Sequence, residues 1–230
     1  MDEPSKIITH DGPVNVLKSV RLLRVRAIII KQGSLNFDGN KGSTRVFVEQ
    51  LTVDDPRQLD GTPTDAFHLG GISGGIGNLK GTGLQRDLAK IGKGANHLTI
   101  GYAVGEAVAM ELKPGMDPDH IPHQDGFQIM NGWNITIQKL DYTGGPDTQH
   151  AAFFCNPGGP GADDTVSSLI HDCVVLGGTI ITKATGIALG ACTRCGAKNM
   201  HIEAKYPFRK NEHTKLPVNQ NNELIQVRNK

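Results

Sequence analysis

Apolar and polar positions alternate with a period of two along much of this chain. Within residues 126–156, Ile129, Trp133, Ile135 and Ile137 share one parity and Gln128, Asn134, Thr136 and Gln138 the other, the pattern of a half-buried strand. Asn131 interrupts the apolar parity beside Gly132, where a bulge or bend is expected. His150 to Cys155 is almost continuously apolar and reads as a central strand. Further strand character runs through Val20 to Lys31, His97 to Lys113, Thr179 to Leu189 and Met200 to Tyr206. The turn-rich FDGNKGS at 37–43, followed by RVFVEQLTV, predicts a β-hairpin.

Two stretches carry a helical stripe instead. Val166, Leu169, Ile170, Cys173 and Val174 follow i, i+3, i+4 spacing and predict a packed helix over about 165–176, with Asp164 or Thr165 as cap and Gly177 as stop. Leu84, Leu88 and Ile91 predict a short surface helix over about 83–91. LGGISGGIGNLKGTG, residues 69–83, reads as a long glycine-rich loop. No fixed period emerges that would mark a solenoid. The expected fold is mainly β, a β-sandwich or β-barrel with one packed α-helix. It comprises a single domain over 14–206, an N-terminal arm over 1–13 and a C-terminal arm over 207–230.

Composition narrows the class. Among 230 residues there are 29 Gly and 12 Pro with only 5% aromatics, which favours turns and close backbone approaches over an aromatic core. Lys+Arg 24 against Asp+Glu 23 gives no overall field to draw the chain onto a polyanion, so direct sequence-specific nucleic-acid binding is not expected. The start, MDEPSKIITHDGP, lacks the basic and apolar regions of a signal peptide, which leads us to expect cytoplasmic synthesis. No apolar run approaches the roughly 20 residues of a membrane helix.

Candidate chemistry is sparse. DPDHIPHQD at 117–125 gathers metal-ligand types, and His120, His123 and Asp125 could hold zinc or iron if the loop folds back. Cys192 and Cys195 form a CxxC that reads as a turn with two thiols or as half of a zinc site, with Cys155 and Cys173 the only other cysteines. The glycines at 70–83 match neither phosphate-loop spacing, and no nucleophile elbow exists. Arg21, Arg24 and Arg26 with Lys18 and Lys31 form a basic cluster without interleaved aromatics.

With no complete catalytic constellation, the sequence favours a non-enzymatic structural subunit that assembles with itself, and with other structural subunits, into a ring, tube or shell. A virus capsid or phage tail tube, within a virion, is the type expected. No cofactor is expected on that reading. A metal-dependent enzyme using His120 and His123 is the alternative. A glycan- or peptide-binding module with Trp133 or Tyr142 as its platform is a further one.

Overall fold

A computed structural model of the protein describes residues 6–109, 124–145, 151–157 and 169–227. Every named element in them is a strand. In chain order these are β1 (Ile7–His10), β2 (Val14–Val16), β3 (Leu22–Ile30), β4 (Leu35–Asp38), β5 (Thr44–Val53) and β6 (Phe67–Gly70). Then come β7 (Ile72–Leu84), β8 (Ala89–Gly92), β9 (Ala95–Ala107), β10 (Phe127–Ile129), β11 (Gly132–Thr143) and β12 (Ala151–Cys155). The last are β13 (Ile170–Val175), β14 (Gly178–Leu189), β15 (Gly196–Lys198), β16 (Met200–Lys210), β17 (Val218–Gln220) and β18 (Glu223–Gln226).

All pairings between these strands are parallel, and most join a strand to the next but one. A parallel partner needs a long crossover. Here the crossover is the remainder of one coil, so the chain winds as a β-helix, a cylinder of stacked rungs with a barrel-like wall. Three ladders run along it. Ladder A stacks the starts of β3, β5, β7, β9 and β11 on β13, β15 and β17. Ladder B carries the second halves of the long strands onto β14, β16 and β18, with β1 at its other end. Ladder C stacks β2, β4, β6, β8, β10 and β12, then the ends of β14 and β16. The inward residues of all three join one buried cluster, from Val25 to Ala204, so the ladders enclose a common core.

The mainly β expectation holds, and both helices are overturned. Residues 83–91 are the end of β7, a bend and the start of β8; Leu84, Leu88 and Ile91 are all fully buried. Residues 170–175 of the longer predicted helix are β13, and 165–168 lie outside the described residues. The helical stripe has a physical source. Asp172 adopts a left-handed conformation, φ 57°, inside the strand. That residue turns the chain so that Ile170 and Cys173, three apart, both face inward, followed by Val175 at the ordinary spacing of two. Spacings of three and two together imitate a helix.

The same device recurs. His97, Asn134, Asp172, Arg194 and Leu216 all have positive φ and occupy one position on successive coils of ladder A. The inward sets are Ala95, Leu98, Ile100; Gly132, Ile135, Ile137; Ile170, Cys173, Val175; and Cys192, Cys195, Ala197.

Three further expectations change. The segment read as a hairpin at 37–43 is the end of β4 and a turn over 39–43 leading to β5, and the two strands pair with neighbouring coils rather than with each other. The glycine-rich stretch read as a loop contains the thirteen-residue strand β7. Glycine is needed there because stacked backbones approach closely: at Gly74, φ 109°, a Cβ would collide with the carbonyl oxygen of Val46. Finally, the chain is a solenoid. Its repeat is 22 residues from Gly178 to Met200 and from His201 to Glu223, but stretches to 38 from Gly132 to Ile170, the additional residues falling between ladders. Ile7–His10 of the N-terminal arm and Val218–Gln220 and Glu223–Gln226 of the C-terminal arm are strands of this stack.

Candidate functional site

Among the described residues the buried carboxyls, Asp65, Asp87 and Asp125, lie on ladder C, at the point where each coil enters it. Asp65, Asp87 and Asp125 stand two residues before Phe67, Ala89 and Phe127, which are register partners. The three carboxyls therefore stack on successive coils. Each side chain accepts a backbone N–H from the coil above: Asp87 N–H to Asp65 Oδ1 at 3.4 Å, Asp125 N–H to Asp87 Oδ1 at 2.9 Å, and Ala151 N–H to Asp125 Oδ1 at 2.8 Å. These bonds hold successive coils together at the entry to ladder C.

Three cationic or basic groups face the carboxyls. Lys90 Nζ lies 2.8 Å from Asp65 Oδ2 and 3.1 Å from Asp87 Oδ2. His68 Nε2 lies 2.9 Å from Asp65 Oδ2, and Arg86 Nε 3.3 Å from Asp65 Oδ1. Burial pulls Asp65 upward, but the His68 hydrogen bond and the Lys90 and Arg86 charges outweigh it and hold its carboxyl well below the usual range. Burial and the Asp65 charge push Asp87 up to about 6. Burial, then the Asp87 charge, raises Asp125 well above its ordinary value. Burial lowers Lys90, yet the two aspartates more than compensate and hold it protonated. Neighbouring carboxyls are thus driven apart in acidity, as at sites of proton transfer and in structural ion networks alike.

The network opens onto a groove. The Asp65 side chain is 5% exposed and that of His68 44%, so the imidazole stands in front of its carboxylate. On one side of His68 the groove is lined by Asn36, Gln58, Leu59, Asp60 and Thr64. Its rim there is residues 54–66, folded on themselves through Gln58 N–H to Thr62 O and Gly61 N–H to Gln58 O, each 2.8 Å. On the other side the lining is Asn15, Asp38, Lys90, Lys93 and Met130. Lys93 is ion-paired to Asp38 and holds that carboxyl down. Asn15, Asn36, His68, Lys90 and Gln128 share one register position on five coils, forming a polar line along the cylinder.

No family model, curated protein or solved structure matches this chain.

The sites foreseen from sequence are distributed differently. His120 and His123 lie outside the described residues, and Asp125 is buried in the wall with its Oδ1 engaged by Ala151. Among the described residues no group of three or more His, Cys, Asp or Glu is set about a metal position. Tyr142 is buried, donating its hydroxyl to Gln124 O at 3.0 Å. Trp133 shares parity with Ile135, but the left-handed Asn134 between them leaves Ile135 inside and Trp133 half-buried on the outer wall, stacked on His171 with centroids 6.1 Å apart. Cys155, Cys173, Cys192 and Cys195, by contrast, are brought together in the core.

The Asp65–His68–Lys90 network escaped sequence reading. Its signal was the repeated pairing of an aspartate with a polar residue three positions on: Asp65 with His68, Asp87 with Lys90, Asp125 with Gln128.

Proposed function

We propose that the protein binds an extended anionic glycan along the ladder C groove and cleaves it by β-elimination, with His68 as the base. The observation that carries this reading is the Asp65–His68 pair: a buried carboxylate hydrogen-bonded to the Nε2 of an imidazole that is itself exposed in a groove. Asp65 fixes the tautomer with hydrogen on Nε2 and leaves Nδ1 as acceptor. Hydrolysis between two carboxyls is disfavoured, because Asp65 and Asp87 are buried behind the wall and cannot flank a sugar. Asp38, which also lines the groove, is ion-paired to Lys93, and besides it and Asp60 the titratable lining groups are the base His68 and the cations Lys90 and Lys93.

That set suits abstraction of the proton α to a sugar carboxylate. His68 Nδ1 takes the C5 proton, the released electron pair forms the C4=C5 double bond, and the C4–O bond breaks. The departing oxygen takes a proton from solvent. Lys93 and Arg86, partly exposed, favour the substrate carboxylate and the charge that grows on it. The line from Asn15 to Gln128 rises by about 4.8 Å per coil and fits a linear polymer rather than a compact ligand.

The experiment is incubation of the purified protein with a panel of polyuronates, reading the ultraviolet absorbance of the unsaturated product. His68→Ala is expected to abolish product while retaining polymer binding, and Asp65→Asn to reduce it at least about 100-fold through the wrong tautomer. Product formation undiminished in His68→Ala, or no binding to any polyuronate, refutes the reading.

Self-assembly is the second reading, favoured by one observation. Among the described residues β17 and β18 have a strand partner on one side only, and Leu216, Leu224 and Ile225 are exposed around that edge. An open edge with apolar residues invites another coil, which a second copy would supply in a tube or shell of the virion type. A strictly monomeric mass in light scattering at high concentration would refute it.

A further inference from the structure

The chain has four cysteines, all buried and unbridged. They reach one place from three successive coils. Cys192 and Cys195 flank the left-handed Arg194, φ 52°, so the CxxC spacing turns both thiols inward instead of to opposite sides. Cys173 holds the same ladder A position one coil earlier, because the His171–Thr193 bridge and the Val174–Gly196 pair bracket it against Cys195. Cys155 ends β12 on ladder C, and its carbonyl accepts the N–H of Gly190 at 2.7 Å, two residues before Cys192. The Cys195 thiol is within hydrogen-bonding reach of Cys155, Cys173 and Cys192, and Cys192 within reach of Cys155.

We propose that these four thiols form a structural zinc site inside the solenoid. A lone buried cysteine is a small hydrophobe. Here, however, every cysteine of the chain meets the others, while the ladder A column that ends in Cys173 and Cys195 carries Leu98 and Ile135 on the coils before them. Thiols occur in this core only where other thiols face them. Four cysteines including one CxxC match a closed tetrahedral zinc site, with Zn–S near about 2.3 Å.

As they stand, the thiols turn on one another and on carbonyls, Cys173 Sγ to His171 O and Cys195 Sγ to Thr193 O both at 3.4 Å, and are not splayed about a metal position. Zinc binding releases the thiol protons and removes the reason for those contacts. Arg194 lies close enough to be favoured by negative charge on Cys195, which offsets part of the charge of a tetrathiolate site. The metal would tie β12, β13 and the turn before β15, three coils in all, independently of the groove on ladder C.

The test is elemental analysis of protein purified without chelators, with cobalt substitution as an optical probe. About one zinc per chain is expected, together with thiolate-to-cobalt charge-transfer absorption and the visible bands of a tetrahedral site. Cys195→Ser and Cys155→Ser should each lose at least about nine-tenths of the metal, and a chelator should lower the unfolding temperature of the wild type. Zinc below about one-tenth per chain combined with no charge-transfer band on adding cobalt to reduced wild-type protein overturns the proposal, whether or not the variants fold. So does metal retained by both variants, or a mass deficit showing the thiols paired as disulfides.

Discussion

Asp125 donates its backbone N–H to the side chain of Asp87 at 2.9 Å, and Asp87 in turn donates its own to Asp65, so one stack of carboxyls ties three coils of the wall. The arrangement has an electrostatic cost. Asp65 is held ionised by His68, Lys90 and Arg86, and its charge, after burial, is what pushes Asp87 up to about 6.

Stability should therefore fall with rising pH over a defined window. Asp87 ordinarily ionises near 3.8 and in the folded protein near about 6, so the folded state holds the extra proton between those values. Its contribution is complete below 3.8 and lost as pH rises through about 6. Asp125, raised by burial, acts in the same sense. A full proton of difference is worth about 1.4 kcal/mol per pH unit. Urea midpoints across this window should decline in the wild type and decline less in Asp87→Asn, whose side-chain oxygen can still accept from Asp125. Equal slopes in the two proteins contradict the assignment.

Much of the wall was legible in the sequence, and its winding was not. Period-two alternation located strands around Val25, Ile100, Ile137 and Ile187, because a strand against a core buries every second residue whatever its partners. Two physical features hid the rest. A left-handed residue in β9, β11 and β13 spaces their inward side chains by three and then two, which made residues 170–175 look helical and placed Trp133 on the inner parity. Additional residues between ladders stretch the repeat from 22 residues to 38, which removed the period. The Asp65–His68 pair was illegible for a related reason. Its meaning lies in Lys90, Asp87 and Arg86, which join it only through stacking of adjacent coils.

Glycine tolerance should follow the stacking and not the local strand. At Gly178, φ 117°, an added Cβ would collide with backbone atoms of Leu140 on the neighbouring coil. Gly75, in β7, has nothing within 4 Å of that position and no positive φ. Gly178→Ala is expected to cost at least about 2 kcal/mol and Gly75→Ala no more than about 0.5 kcal/mol. Denaturant unfolding of both variants checks the contrast, and similar losses would exclude backbone contact between coils as its cause.

Arg194 donates Nε and Nη2 to the two carboxylate oxygens of Asp172, each at 2.6 Å, between adjacent coils. That pairing holds the Asp172 carboxyl down to about 2. The stability it brings is present above 3.8 and lost as pH falls toward about 2. Both side chains are partly exposed, at 52% and 31%, so the pair is worth no more than about 1 kcal/mol. Arg194→Ala should move the Asp172 midpoint toward 3.8 in a carboxyl-carbon NMR titration. A midpoint unchanged by the substitution would assign the low value to His171, the other hydrogen-bonded neighbour.

Trp133 is the only tryptophan, so indole emission reports one place on the outer wall of ladder A. One face of the ring stacks on His171, with an interplanar angle of 17°, and the residue is half-buried. A ring on the inner parity would be shielded from solutes by the closed core, as Ile135 and Ile137 are. Acrylamide should therefore quench the native protein to an intermediate degree, between a buried indole and the unfolded chain. His171→Ala removes the stacked partner and should increase quenching without a large loss of stability, since an exposed aromatic pair contributes about 0.5–1.5 kcal/mol. Native emission inaccessible to acrylamide would place Trp133 inside the wall and remove the left-handed turn at Asn134 as the reason for its position.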